Sequence, residues 1–100
     1  MKKSIENSQN VAYFQAAESY SILVWADGHK LMKSRPIKFY ADSLEAQGWC
    51  RIHRSYMVNP NFISQIMPDR EHILLRNGTQ LPIARRKIKS VLVWRKKLLF

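Results

Sequence analysis

The sequence is poor in cysteine and in acidic residues, and it has no long apolar run. Cys50 is the only cysteine among 100 residues, so an internal disulfide and a cysteine-rich zinc module are both excluded. No stretch approaches the roughly 20 apolar residues of a membrane-spanning helix. The N-terminal MKKSIENSQN lacks the apolar segment that follows the lysines of a signal peptide. We therefore expect a cytoplasmic protein without a membrane partner.

Positive charge is the dominant property of the composition. Seventeen Lys and Arg face seven Asp and Glu, which gives a formal net charge of +10 and a pI near 10.2. Solubility alone requires a net charge of magnitude roughly 2–8 in a small domain. The excess favours a polyanionic partner, with nucleic acid as the first candidate and anionic lipid as the second.

Signals for catalysis are weak, and we expect neither an enzyme nor a cofactor or metal site. His29, His53 and His72 do not have the spacing of metal ligands. No glycine-rich phosphate loop, nucleophile elbow or pair of carboxylates is visible. Cys50 with His53 and Asn59 is the one arrangement that resembles a nucleophilic site, but Cys50 lies in a strand-like segment, which argues against it.

One domain, residues 1–100, accounts for the length, and residues 1–10 are expected to form an edge strand or to be frayed. Asp27-Gly28 and Asn77-Gly78 are hairpin signals, because both pairs tolerate the positive φ of a tight turn. The expected extended segments have β-branched or aromatic residues or flank these turns: Val11–Ala16, Tyr20–Ala26, Lys30–Ser34, Cys50–Val58, Phe62–Met67 and both sides of Asn77-Gly78.

Two segments have helical periodicity. The first runs from Pro36 to Gly48, and its seam comprises Ile37, Tyr40, Leu44 and Gln47. The second begins at Ala84 and carries the apolar stripe Ile88, Val91, Leu92, Trp94 and Leu98. The sequence thus predicts a mainly β, antiparallel fold with two helices packed on the sheets.

Basic residues cluster where predicted strands end or turns begin. An arginine at a loop tip suits a bidentate contact with guanine or phosphate. Arg51 and Arg54 lie in an otherwise apolar strand with few acids nearby, which suggests an anionic partner. Arg85 and Arg86 occupy a helix N-terminus, where a bound phosphate would offset the unfavourable dipole. Phosphate or supporting contacts are expected from Lys33, Arg35, Arg51, His53, Ser55, Asn59, Arg85 and Lys89. Structural alternatives remain open: His53 as a hydrogen-bonded strand residue, the tryptophans as core, and Arg95–Lys97 as a solvated helix face.

Three segments resemble the LytTR-type DNA-binding domain, the output module of many bacterial response regulators. The block WCRIHRSYMVN is similar to the family's F-x-R-x-H-R-S-x-x-V-N pattern, and YFQAAESYSILVWADGHKL and NGTQLPIARRKIKSV resemble the flanking segments. The resemblance covers about Val11 to Val93. It implies an elongated antiparallel β fold of about ten short strands in small sheets, with two short helices. It also implies two protomers bound to direct repeats in promoters, with loops in successive major grooves.

The resemblance implies base contacts by Tyr20, Arg54 and Arg86. It assigns phosphate or supporting contacts to Arg51, Ser55 and Arg85. Ala84 stands where the family commonly has serine, so a cap or phosphate bond is lost there. A receiver domain is absent from these 100 residues, which leaves two interpretations, a single-domain regulator and an excised fragment.

Two other interpretations of the charge stay open at this point. The first is an interaction module whose basic face docks an acidic protein or an anionic membrane, with Trp94, Leu98, Leu99 and Phe100 of the tail helix on the lipid. The second is RNA binding, which predicts a preference for single strands and base stacking on exposed tryptophans.

Overall fold

The computed structural model describes residues 10–98, with side chains up to residue 96. Within that range the chain forms eight strands and two α-helices, which agrees with the predicted mainly antiparallel fold and is fewer than the ten strands implied by the resemblance. The bounds are β1 Val11–Ala17, β2 Tyr20–Trp25, β3 Lys30–Lys33, α1 Ile37–Ala46, β4 Cys50–His53, β5 Tyr56–Val58, β6 Ile63–Ile66, β7 His72–Leu75, β8 Gln80–Pro82 and α2 Ile88–Leu98.

The strands form two antiparallel sheets. The larger has the order β3-β2-β1-β5-β4, and the smaller has the order β6-β7-β8. The principal extents are 39 × 27 × 26 Å, so the molecule is moderately elongated. The predicted edge strand at residues 1–10 and the chain end at Leu99 and Phe100 lie outside the described residues, apart from Asn10.

Each face of the five-stranded sheet covers its own core. On one face, Phe14, Leu23 and Met57 pack against Ile37 and the other buried positions of α1. On the opposite face, the larger sheet packs against the smaller sheet and α2. The buried residues there include Tyr13, Ile52 and Val58 of the larger sheet, Ile73 and Leu75 of the smaller sheet, and Val91 of α2. The central strand β1 is therefore buried on both faces, which explains its nearly continuous apolar sequence.

Both predicted hairpin turns are confirmed. Asp27-Gly28 connects β2 to β3, and Asn77-Gly78 connects β7 to β8. Gly28 and Gly78 have φ values of +94° and +92°, which a residue with a Cβ adopts only with strain. The side-chain amide of Asn77 also donates to the Ala26 carbonyl at 2.9 Å, so the two turns contact each other.

Three details differ from the prediction. The segment Cys50–Val58 is not one strand but the hairpin β4–β5, with Arg54 and Ser55 in its turn. Gln47 is exposed just after α1 rather than on its buried seam. The helix predicted from Ala84 begins with a 3-10 turn, Arg85–Lys87, and becomes α-helical at Ile88.

Neither helix within residues 10–98 is long and apolar enough to cross a membrane.

Candidate nucleic-acid interface

Several chain turns meet at one end of the five-stranded sheet. The antiparallel order brings the β1–β2 turn beside the β4–β5 turn, and the Ala16 amide donates to the Ser55 carbonyl at 2.8 Å. Tyr20 is the first residue of β2, and its side chain is 44% exposed at this end. Lys33, the last residue of β3, pairs with Ser21 at the same end. This sheet end therefore gathers residues from four strands.

Arg51 holds the β4–β5 turn in shape. Its Nε donates to the His53 carbonyl at 3.0 Å, and its Nη2 donates to the Arg54 carbonyl. Partial burial lowers the pKa of Arg51 from its ordinary value, and the nearby Glu45 carboxylate opposes that change. A guanidinium remains charged in proteins, so Arg51 contributes positive charge while its donors serve the turn. Arg51 thus supports the turn, and its contact with DNA stays a prediction.

His53 is hydrogen bonded within the same turn. Its Nδ1 accepts the backbone N–H of Ser55 at 3.0 Å, which places the proton of the neutral ring on Nε2. The imidazole also contacts the Tyr56 ring, with centroids 5.7 Å apart. His53 is therefore a structural residue of the turn that retains one donor, so the structural alternative and the contact role are compatible.

The start of α2 lies against this turn. The Ala84 amide donates to the Ile52 carbonyl at 2.9 Å, which joins the segment after β8 to β4. Between them is a cleft of about 490 Å³, lined by Arg51, His53, Arg54, Ala84, Arg86 and Lys87. Two basic clusters that are 30 residues apart in the sequence thus form the walls of one cleft.

Three arginines of this region form no ion pair in the described part of the chain. Between residues 10 and 98 the ion pair found is Asp69–His72, at 3.1 Å. Arg54, Arg85 and Arg86 are exposed, and none of them lies within 4.0 Å of a carboxylate there. Ala84 supplies no side-chain cap to the 3-10 turn that carries Arg85 and Arg86. The region therefore combines unneutralised positive charge with uncapped backbone N–H groups, which favours an anion.

Other predicted contact residues extend this basic region. Arg35 is exposed two residues after β3, and its guanidinium stacks on the Phe39 ring with 4.6 Å to the centroid. Lys89 is exposed in the first turn of α2. Lys87 was not among the predicted site residues, although it lies inside the basic run Arg85–Lys89. The charge of that run was the available signal for it.

Asn59 is the exception among the predicted contacts. It is 1% exposed, its Nδ2 donates to the Val11 carbonyl at 2.8 Å, and its Oδ1 accepts the Asn61 amide at 3.0 Å. The side chain thus connects β1 to the 3-10 turn after β5 and does not reach the surface. The prediction of a phosphate contact by Asn59 is wrong because the side-chain amide is buried and hydrogen bonded within the protein.

Cys50, His53 and Asn59, which resembled a nucleophilic site in the sequence, are not arranged as one in the structure. Burial raises the pKa of the Cys50 thiol to about 11, which the nearby Lys87 only partly opposes. His53 Nδ1 is bonded to Ser55, and Asn59 is bonded to Val11. A half-buried thiol that stays protonated is a poor nucleophile. Within residues 10–98, no cluster of three or more His, Cys, Asp or Glu is arranged to hold a metal ion.

Comparisons with known proteins agree with this description. The family model of the LytTr DNA-binding domain matches residues 4–95. A solved LytTr DNA-binding domain of a methyl-accepting/DNA response regulator from Bacillus cereus has the same fold, with a TM-score of 0.69 and 23% sequence identity. The alignment covers 91% of this chain and 83% of that one. A search of curated proteins found no match. Because the family model spans nearly the whole sequence, the chain belongs to the LytTR family of DNA-binding domains.

Proposed function

We propose that this domain recognises specific sequences in double-stranded promoter DNA and that the end of the five-stranded sheet is its binding face. The observation that carries the proposal is the cleft between the β4–β5 turn and the start of α2. Arg54 and Arg86 reach it from two different elements, and neither has a carboxylate partner in the described chain. An α-helix or a two-stranded hairpin fits the major groove, so these two turns are suited to enter it.

The proposed contacts divide into three groups. Arg54 and Arg86 contact base edges, where a guanidinium bonds guanine O6 and N7 in a bidentate manner. Tyr20 contacts a thymine methyl or the backbone with its exposed ring. Phosphate contacts come from basic and hydroxyl side chains along the same sheet end and at the start of α2: Lys33, Arg35, His53, Ser55, Arg85 and Lys89. Arg51 acts through the turn that it holds, with its charge adding to the attraction for phosphate.

We further propose that two protomers bind a pair of direct repeats and that the domain serves a response regulator. The LytTR family links DNA binding to transcriptional control and to two-component signalling. A receiver or sensor domain on the same or a separate chain would supply the signal. Such a regulator acts in the bacterial cytoplasm, where promoter DNA is found.

Selection of binding sites from random duplex DNA at two salt concentrations tests the proposal. We expect enrichment of two similarly oriented repeats. Affinity should fall by about 0.9 log units per log unit of salt for each neutralised phosphate. Binding to liposomes or single-stranded RNA without duplex binding would instead support one of the other interpretations of the charge.

Arg54→Ala tests the base contacts directly. It should weaken binding by roughly 1–3 kcal/mol and relax the base preference at one position. Lys30→Ala is the matched control, because Lys30 is exposed at the opposite end of β3 from Lys33 and loses the same charge. Equal effects of the two substitutions would assign Arg54 to general charge attraction and contradict its proposed role.

A further inference from the structure

A second basic cleft lies away from the proposed DNA-binding face. Its volume is about 480 Å³, and its lining residues come from the 3-10 turn after β5, from β6, from the end of β7 and from α2: Pro60, Asn61, Ile63, Ser64, Arg76 and Arg95. None of these residues is among the contacts proposed for DNA. We call this cavity the Arg76–Arg95 cleft.

The topology separates the two clefts. The β4–β5 turn precedes β5, whereas Pro60 and Asn61 follow it, so the clefts lie at opposite ends of that strand. Arg76 follows β7, and the segment that leads to Arg86 lies beside the start of β7, where the Ile83 amide donates to the Glu71 carbonyl at 2.8 Å. The two clefts have no lining residue in common.

Both arginines are held in place and keep donors to spare. The backbone amide of Arg76 donates to the Phe62 carbonyl at 2.9 Å, which fixes the turn that carries its exposed side chain. Arg95 donates from Nη2 to the Ser64 carbonyl at 3.1 Å. A guanidinium has five N–H donors, so most of those on Arg95 remain available.

Charge identifies the chemistry of the ligand. Neither Arg76 nor Arg95 lies within 4.0 Å of a carboxylate in the part of the chain that the structure describes. Asn61 and Ser64 are exposed and add polar groups to the rim of the cleft. Two guanidinium groups that line one cleft are complementary to two carboxylates, each of which accepts a bidentate pair of hydrogen bonds.

We propose that the Arg76–Arg95 cleft is a docking site for an acidic segment of a partner protein that presents two carboxylates. This site is additional to DNA binding and does not depend on the contacts proposed for it. Because the two clefts share no lining residue, the domain would bind duplex and partner through different side chains. Contact with a second protein on the exposed side is a direct way for a DNA-bound regulator to act on transcription.

The test uses acetylated hexaglutamate as the probe and the full chain labelled with 15N. NMR titration with the peptide should shift the resonances of Asn61, Ser64, Arg76 and Arg95 first.

A net charge of +10 also attracts any polyanion weakly, so two double variants distinguish the two faces. Arg76→Gln with Arg95→Gln should weaken peptide binding by roughly tenfold or more and leave duplex affinity within about twofold. Arg54→Ala with Arg86→Ala should have the reverse effect.

Matched variants keep the test decisive. Lys96→Gln removes one charge from the exposed residue next to Arg95 and should leave peptide affinity nearly unchanged. Arg76→Gln alone covers the case in which loss of the Arg95–Ser64 bond unfolds the double variant, because the Arg76 turn is fixed by its backbone.

Three results would overturn the proposal. The first is that hexaglutamate changes the chemical shifts only of residues in the β4–β5 turn and at the start of α2. The second is loss of duplex affinity in the Arg76 and Arg95 variants, which would make the cleft part of the DNA surface. The third is binding of pyrophosphate but not hexaglutamate at the cleft. Failure of the DNA proposal would appear separately, as unchanged duplex binding in the Arg54 and Arg86 variant.

Discussion

Arg51 donates a hydrogen bond from its Nε to the backbone carbonyl of His53, two residues later on the other side of Ile52. A second bond, from Nη2 to the Arg54 carbonyl, completes a clamp on the β4–β5 turn. The arginine that lies nearest in sequence to Arg54, the proposed base contact, is therefore directed at the backbone, and it holds the turn on which Arg54 is presented.

Arg51→Ala should lower both stability and DNA affinity. Loss of two charge-assisted bonds at a partly exposed site is expected to cost about 1–2 kcal/mol of unfolding free energy, measured by urea denaturation. Arg54→Ala is the control, since an exposed side chain without a described partner should change stability by no more than about 0.5 kcal/mol. If Arg51→Ala weakened DNA binding at full stability and with an unchanged turn in NMR spectra, Arg51 would be a direct contact instead.

Asn59→Ala should destabilise the protein by roughly 1–3 kcal/mol, because it leaves the buried Val11 carbonyl without its amide donor. Asn61→Ala removes an exposed amide two residues away and is expected to stay within about 0.5 kcal/mol of the parent. Thermal and urea unfolding measure both. A variant at Asn59 that is fully stable but deficient in duplex binding would restore its role as a phosphate contact.

Cys50 should react slowly with thiol reagents in the folded protein. Burial raises its pKa from 9.0 to about 11, so the thiolate fraction near pH 8 is about a hundredfold lower than in the unfolded chain. Because the folded pKa is the higher one, ionisation of Cys50 favours the unfolded chain. The free energy of unfolding should therefore not depend on Cys50 below about pH 9 and should fall as the pH rises towards 11. Ellman's reagent with and without urea measures the difference, and equal rates would show that the thiol is accessible.

Trp94 connects α2 to the segment that follows α1. Its indole Nε1 donates to the Gly48 carbonyl at 2.8 Å, just after α1. Trp94→Phe should therefore cost about 1 kcal/mol of unfolding free energy, since the carbonyl loses its donor. Val93→Ala, at a 54% exposed neighbour, is the comparison and should be nearly neutral. Equal stability of the two variants would mean that water replaces the indole without cost.

Local signals made much of the fold predictable. Asp27-Gly28 and Asn77-Gly78 determine their turns through positive φ, and the periodicity of residues 37–44 determines α1, because these effects act within a few residues. The turn at Arg54 and Ser55 escaped prediction because it contains no glycine, proline or asparagine. It is stabilised instead by bonds from the Arg51 and His53 side chains, which a count of turn-forming residues does not detect.

Contacts between distant parts of the sequence limited how much of the site could be predicted. The charge clusters at Arg51–Arg54 and Arg85–Lys89 were visible in the sequence, but their convergence depends on a bond between residues 52 and 84. Asn59 was misassigned because its acceptor lies 48 residues away, on β1. Residue type predicted which side chains are suited to contact phosphate, whereas the tertiary fold decides which of them are free to do so.

The bond between the Ala84 amide and the Ile52 carbonyl has a consequence for the base contacts that we propose for Arg54 and Arg86. It fixes the separation of Arg54 from Arg86 inside one folded unit. One base pair inserted between their two contact points would displace one of them by about 3.4 Å along the duplex, with a matching rotation. Operators for this domain should therefore tolerate base changes at single positions better than a change of length within a repeat.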